Sequence, residues 1–156
     1  MNFEAFKQKT IEIFALNPIL PTPTDEQIEK LFTLTEIMLE VNKSMNLTAI
    51  TEESAVILKH YADSVSISSM IPEGARVLDL GCGPGFPSLP LAIARPDLRI
   101  VALDSTDKKI RFLFDTATLL HLPNIEAVTG RAEDAAVRRR LGAFDAVVSR
   151  AVARLN

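Results

Sequence analysis

The chain has 156 residues, a formal charge of −3 and 47% apolar residues, with one cysteine, two histidines and no tryptophan. Those figures leave room for one globular core and exclude an internal disulfide, a metal site built on cysteines and an overall basic coat for nucleic acid. No run approaches the length of an unbroken apolar membrane span, and the opening FEAFKQKTIEIF, interrupted by acids and lysines, lacks the pattern of a secretory leader, so the expected compartment is the cytoplasm, without membrane contact.

Residues 3–16 place Phe3, Phe6, Ile11, Ile13, Phe14 and Leu16 at helical recurrence, and Asn17-Pro18 stops the run. After the link PILPTPT, Thr24 and Gln27 stand at capping-box spacing, and Ile28, Leu31, Phe32, Leu34, Met38 and Val41 predict an amphipathic helix to about Ser44. NLTAI breaks it, and TEESAVILKHYADSVSISSM predicts a further helix. No strand signal precedes residue 75, so residues 1–70 read as a helical lead-in and 71–156 as an α/β domain.

From there RVLDL, RIVAL, IEAVT and FDAVVS read as short strands separated by helix-length segments. Such alternation predicts a parallel sheet with right-handed crossovers and helices on both faces. The charge is uneven: residues 1–60 hold five Lys/Arg and nine Asp/Glu, whereas residues 61–156 hold twelve and eleven. Arg138, Arg139 and Arg140 read as the solvated last turn of a helix, where cations suit the dipole.

The stretch VLDLGCGPGFPSLPL joins the first strand, 76–80, to the first helix of the unit. In a doubly wound sheet that turn lies at the carboxyl ends of the strands, where ligands bind. Gly81, Gly83 and Gly85 alternate there, so backbone and ligand can approach closely. A dinucleotide fingerprint wants glycine or alanine three residues after its second glycine, and that place holds Phe86; a triphosphate-binding G-x-x-x-x-G-K-[ST] is missing. Asp104 ends the second strand, where an acid can accept hydrogen bonds from both hydroxyls of a ribose. Asp79, inside the first strand, reads either as an acid that ties the loop's N–H groups together or as a contact to a ligand amine. Strand, internal acid, G-x-G-x-G and an acid at the next strand tip together form the S-adenosylmethionine pattern of class I methyltransferases, a Rossmann-like fold.

Outside the loop, N46-L47-T48-A49-I50, H60-x-x-D63-S64, G81-x-G83-x-G85-F86-P87, D104-S105, G130-R131-A132-E133 and S149-R150-A151-V152-A153 follow in that order. This series resembles the bacterial 16S ribosomal RNA guanine-N7 methyltransferase family, also called glucose-inhibited division protein B. The resemblance implies S-adenosyl-L-methionine as cofactor, and 16S rRNA or a small ribosomal subunit particle as partner. It implies that Gly81 and Phe86 contact the cofactor, Asp104 the ribose, and Ala132 and Glu133 the adenine, with Arg150 at the edge of cofactor and substrate. Glu133 also reads as a first-turn acid of the next helix. Asn46, His60, Asp63 and Arg131 are the candidates for substrate contact, although His60 equally reads as structural, and Asn46 and Thr48 as turn and cap residues. No catalytic side chain and no metal ligand is assigned. Guanine N7 has an in-plane lone pair and no proton, so alignment rather than a general base is what the reaction needs.

Ser88 stands where the family usually has glycine, and Cys82, where it more often has threonine, reads as a small filler. A sheet of this class begins 3-2-1-4 and continues past its fourth strand, whereas this chain ends shortly after its own. The expectation is therefore a truncated chain, a fragment or a degenerate product, with the exposed fourth strand open to edge-to-edge self-association. Two other functions fit the loop: a class I methyltransferase on a small molecule or protein, and an inactive fragment that only binds the cofactor.

Overall fold

The computed structural model describes residues 2–150. Helix α1 (Phe3–Ala15) is started by the Asn2 side chain, which accepts from the Ala5 amide at 3.1 Å, and turns Phe6, Thr10 and Phe14 inward at four-residue spacing. Helix α2 (Asp25–Met45) opens on the anticipated box. The Gln27 amide donates to Thr24 Oγ1, and the Thr24 amide to the Gln27 side chain. Gln27 does more than cap, because its Nε2 reaches the Ile93 carbonyl at 3.3 Å, near the end of a later helix.

The third helical stretch departs from the continuous helix expected for it. A short α3 (Glu53–Ala55) widens into π-helical turns over Val56–Ala62, then narrows to α4 (Asp63–Val65) and a 3₁₀ turn at Ser68–Met70. The cause is what this segment must bury: Val56, Ile57, His60, Tyr61 and Ala62 are all inside. A wider i→i+5 turn gives a broader inward face than an α-turn. Tyr61, fully buried, satisfies its hydroxyl on Thr35 Oγ1 at 2.6 Å.

The sheet follows: β1 (Arg76–Leu80), α5 (Ser88–Ala94), β2 (Arg99–Asp104), α6 (Asp107–Leu119), β3 (Ile125–Thr129), α7 (Ala135–Leu141) and β4 (Ala146–Val148). All pairs are parallel and the order is β3-β2-β1-β4, the anticipated start of a class I sheet. Alternation along β1 sends Val77 and Asp79 to one face and Leu78 and Leu80 to the other. The first face shares a single apolar core with α1, α2, the π-helical segment and α5, so helices and sheet bury one another. The second face packs Val101, Leu103 and Val128 on Leu141 of α7. Among the described residues no strand pairs with the outer edge of β4, where Val147 is exposed, and no helix is long and apolar enough to cross a membrane.

Candidate functional site

Parallel strands bring their carboxyl ends to one edge, and there the structure gathers most of the residues singled out from the sequence. Register opposes Leu80 to Leu103, so the glycine loop starts beside Asp104. The amides of Gly81 and Cys82 both donate to the Leu103 carbonyl, at 2.9 and 3.1 Å. Asp104 Oδ2 accepts from the Gly83 amide at 2.8 Å and its Oδ1 from the Thr106 amide at 2.8 Å. The carboxylate remains half-buried, with lone pairs to spare beyond these two bonds.

The glycines divide into two kinds. Gly83 has φ +56°, and a Cβ there would meet nothing within 4 Å, so the loop backbone opens on free space. Gly85 has φ +123°, and a Cβ would lie 2.5 Å from Leu89 Cδ1, so this glycine serves packing.

Asp79 is fully buried. Its Oδ2 accepts the amide of Ser88 at 3.1 Å and the Ser88 hydroxyl as well, while Oδ1 has no partner. Burial pushes this carboxyl up to about 7 against the two Ser88 bonds, with the charge of Asp104 adding to the rise. Of the two readings of Asp79, the geometry is that of an acid tying down the loop. The sequence assigned Ser88 no role, and its only signal was a serine at a place where the family resemblance led one to expect glycine. Cys82 is buried in the loop, its thiol pushed up by burial.

Phe86 closes the loop and is the meeting point of a cluster that spans the chain. The His60 ring stacks on it, and the Arg150 guanidinium carbon lies 5.8 Å from its centroid. Arg150 Nη2 donates to His60 Nδ1 at 3.1 Å, and Nη1 to Ser64 Oγ at 3.1 Å; Nε lies 3.4 Å from Asp63 Oδ2. Since arginine only donates, His60 Nδ1 is an acceptor and Nε2 carries the proton, which goes to Thr48 Oγ1 at 2.9 Å. Burial and the neighbouring Arg150 charge lower the imidazole to about 4, so the ring is neutral and both nitrogens are engaged. His60, Asp63 and Arg150 are thus brought together. Thr48 and Ser64 join them, and the H-x-x-D-S spacing, three and four residues apart on one helical face, was the available signal.

The other candidates stand apart from that cluster. Asn46 is the left-handed cap of α2 with φ 39°, in keeping with its reading as a cap. Arg131 and Glu133 form an exposed pair at 3.8 Å, and Ala132 packs against the second core cluster. Glu133 is not a first-turn acid, because Asp134 caps α7 by accepting from the Ala136 amide. Arg138, Arg139 and Arg140 are exposed in the last turn of α7, as anticipated. Of S-R-A-V-A, Ser149 and Arg150 are described and residues 151–153 lie outside the described residues. Among the described residues no cluster of His, Cys, Asp and Glu could hold a metal.

Hollows lie elsewhere, one of about 410 Å³ between α6 and β3 by Phe114 and Ile125, another of about 510 Å³ by Ile13 and Leu16. The first is lined largely by apolar side chains and the second by apolar and polar ones, whereas the strand-end edge carries the half-buried acid of Asp104 beside a glycine loop whose backbone is open at Gly83.

The family model described as GidB, rRNA small subunit methyltransferase G, matches residues 27–156. The chain belongs to the rRNA small subunit methyltransferase G family. It is 43% identical over 157 residues to the ribosomal RNA small subunit methyltransferase G of Leuconostoc citreum, covering 94% of this chain and 64% of that protein. Against the protein of the same name from Lachnoclostridium phytofermentans, identity is 48% over 133 residues, covering 82% and 54% respectively. The chain therefore spans only part of the length of these methyltransferase G relatives. Among solved structures, the O-methyltransferase from Bacillus cereus in complex with SAH superposes with a TM-score of 0.55 at 20% identity, over 96% of this chain and 63% of that one. That likeness is one of fold.

Proposed function

We propose that the glycine loop seats S-adenosyl-L-methionine and that the family's reaction, methyl transfer to N7 of a guanine in 16S rRNA, is the one this site serves. The observation that carries the reading is the empty space at Gly83. A positive φ, an unfilled Cβ position and an amide pinned to Asp104 make a cradle for a ligand at the strand ends. Bound there, the cofactor supplies an electrophilic methyl group. Asp104 offers its remaining lone pairs to the ribose hydroxyls, Phe86 forms the aromatic wall, and Ala132 and Glu133 lie towards the adenine.

The site offers positioning rather than proton transfer. His60 is buried and neutral with both nitrogens engaged, and Asp79 is sealed beneath the loop. A nucleophile without a proton, such as guanine N7, suits a site that aligns reactants and moves no proton. Asn46, Asp63 and Arg131, all exposed, are the proposed contacts to RNA.

Calorimetric titration with S-adenosylmethionine tests capture. Methyl transfer from labelled cofactor to naked 16S rRNA and to small-subunit particles, against tRNA, free nucleosides and protein, tests the substrate. Transfer to a small molecule or protein instead overturns the RNA assignment. Binding without transfer leaves the chain a cofactor-binding unit.

A further inference from the structure

Ser88, the first residue of α5, is fully buried and directs both of its donors to one acceptor, Oδ2 of Asp79, from nine residues along the chain. The loop between them is fixed by side chains at two points: Gly83 to Asp104 in its middle, and Ser88 to Asp79 at its far end. Asp79 has one oxygen doubly served and the other without a partner, in full burial. We propose that the Ser88 hydroxyl is a positioning residue for cofactor capture, anchoring the Asp79 carboxylate on the head of α5 and so holding Gly81 to Phe86 in the binding shape at neutral pH. The inference rests on the reading that this loop takes S-adenosylmethionine.

The physical argument concerns what a proton would do. Ionised, Asp79 accepts from both Ser88 donors. Protonated, whether on the unpartnered Oδ1 or on Oδ2, it loses the negative charge that strengthens both Ser88 bonds, and the anchor weakens. Burial favours the protonated form and the Ser88 bonds oppose it; Asp104 pushes the same way as burial, and Arg150 the other way. Among the described residues, Cys82 beside Asp79 is a neutral thiol, and the register partners on β2 and β4 are the uncharged Ala102 and Val148. Ser88 is therefore a main restraint that keeps the anchor ionised.

The test compares wild type with Ser88→Ala, which loses only the hydroxyl. The Asp79 carboxyl is followed by carbon-13 titration and assigned with Asp79→Asn, and S-adenosylmethionine affinity is measured from about pH 5.5 to about pH 9. The Asp79 midpoint is expected to rise by about one pH unit in the variant. Affinity should then fall about fivefold at neutral pH, as the ionised fraction drops from about a half to about a tenth, and recover at the alkaline end. Coincident Asp79 titrations, or an affinity loss equal at every pH, would overturn the proposal, since a merely structural role gives a uniform loss. If neither protein binds the cofactor at any pH while the midpoint still moves, the reading of the ligand falls and the anchoring of Asp79 stands. Should Ser88→Ala unfold, Ser88→Gly keeps the amide donor and adds no bulk, and provides the same comparison.

Discussion

The imidazole of His60 lies flat on the ring of Phe86, centroids 4.3 Å apart and planes 13° from parallel. This contact joins the helical first half to the glycine loop, and Arg150 fastens it from the far end of the sheet.

A buried neutral histidine binds protons less readily in the folded than in the unfolded chain. Its contribution to stability is whole above the ordinary imidazole range and is lost as pH falls from about 6.5 towards about 4. Imidazole resonances should show the Nε2–H tautomer through neutral pH and protonation near 4. Replacing Arg150 with methionine should return the midpoint only part of the way, because burial is the larger cause. A wild-type midpoint at the ordinary histidine value would remove the Arg150–His60 bond from the account.

Asp79 works in the opposite sense. Its pKa is raised to about 7, so the folded chain holds a proton that the unfolded chain has already released, and stability declines as pH rises from about 4 to about 7. Relative to wild type, Asp79→Asn should gain about 3 kcal/mol across that window. Urea unfolding at several pH values measures the gap. A gap that does not widen with pH means that Asp79 titrates as an ordinary carboxylate.

Gly83 and Gly85 separate ligand space from packing space. Gly85→Ala drives a Cβ into Leu89 and should lose about 3 kcal/mol or more of stability. Gly83→Ala meets no atom and should lose about 1 kcal/mol, the cost of a left-handed non-glycine residue. Its methyl would enter the proposed cradle, so S-adenosylmethionine affinity should nevertheless fall at least tenfold, about 1.4 kcal/mol. Equal affinity in a folded Gly83→Ala chain means that the ligand sits elsewhere.

Asp104→Ala removes the acceptor for two backbone amides together with the proposed ribose contact. Cofactor affinity should drop by about tenfold or more, since each lost bond to a charged group is worth about 1.5 kcal/mol or more. Calorimetry showing the same dissociation constant as wild type would falsify the ribose assignment.

The four strands and the loop between β1 and α5 were legible because each depends on local pattern: short apolar runs, alternation, and glycines where backbone must come close; the strand order came only with the class I resemblance that those patterns carried. Thr24 and Gln27 were legible for the same reason, a cap needing only residues three apart. The π-helical widening at Val56–Ala62 was not, since it answers to what Phe86 and Thr35 ask of His60 and Tyr61 from elsewhere in the chain. Arg150 and His60 are ninety residues apart, so no window of sequence contains both. Ser88 escaped because a serine opening a helix looks like ordinary helix chemistry, and only the fold shows its hydroxyl turned back on a buried acid.

The apolar core running unbroken from Phe6 through Tyr61 to Leu89 and Leu113 bears on any effort to shorten this protein. Excising the leading helices would strip the cover from Val77 and from α5, leaving a sheet whose inner face clings to other molecules instead of dissolving. The sheet half is not a portable cassette, and heat should melt both halves in one cooperative step.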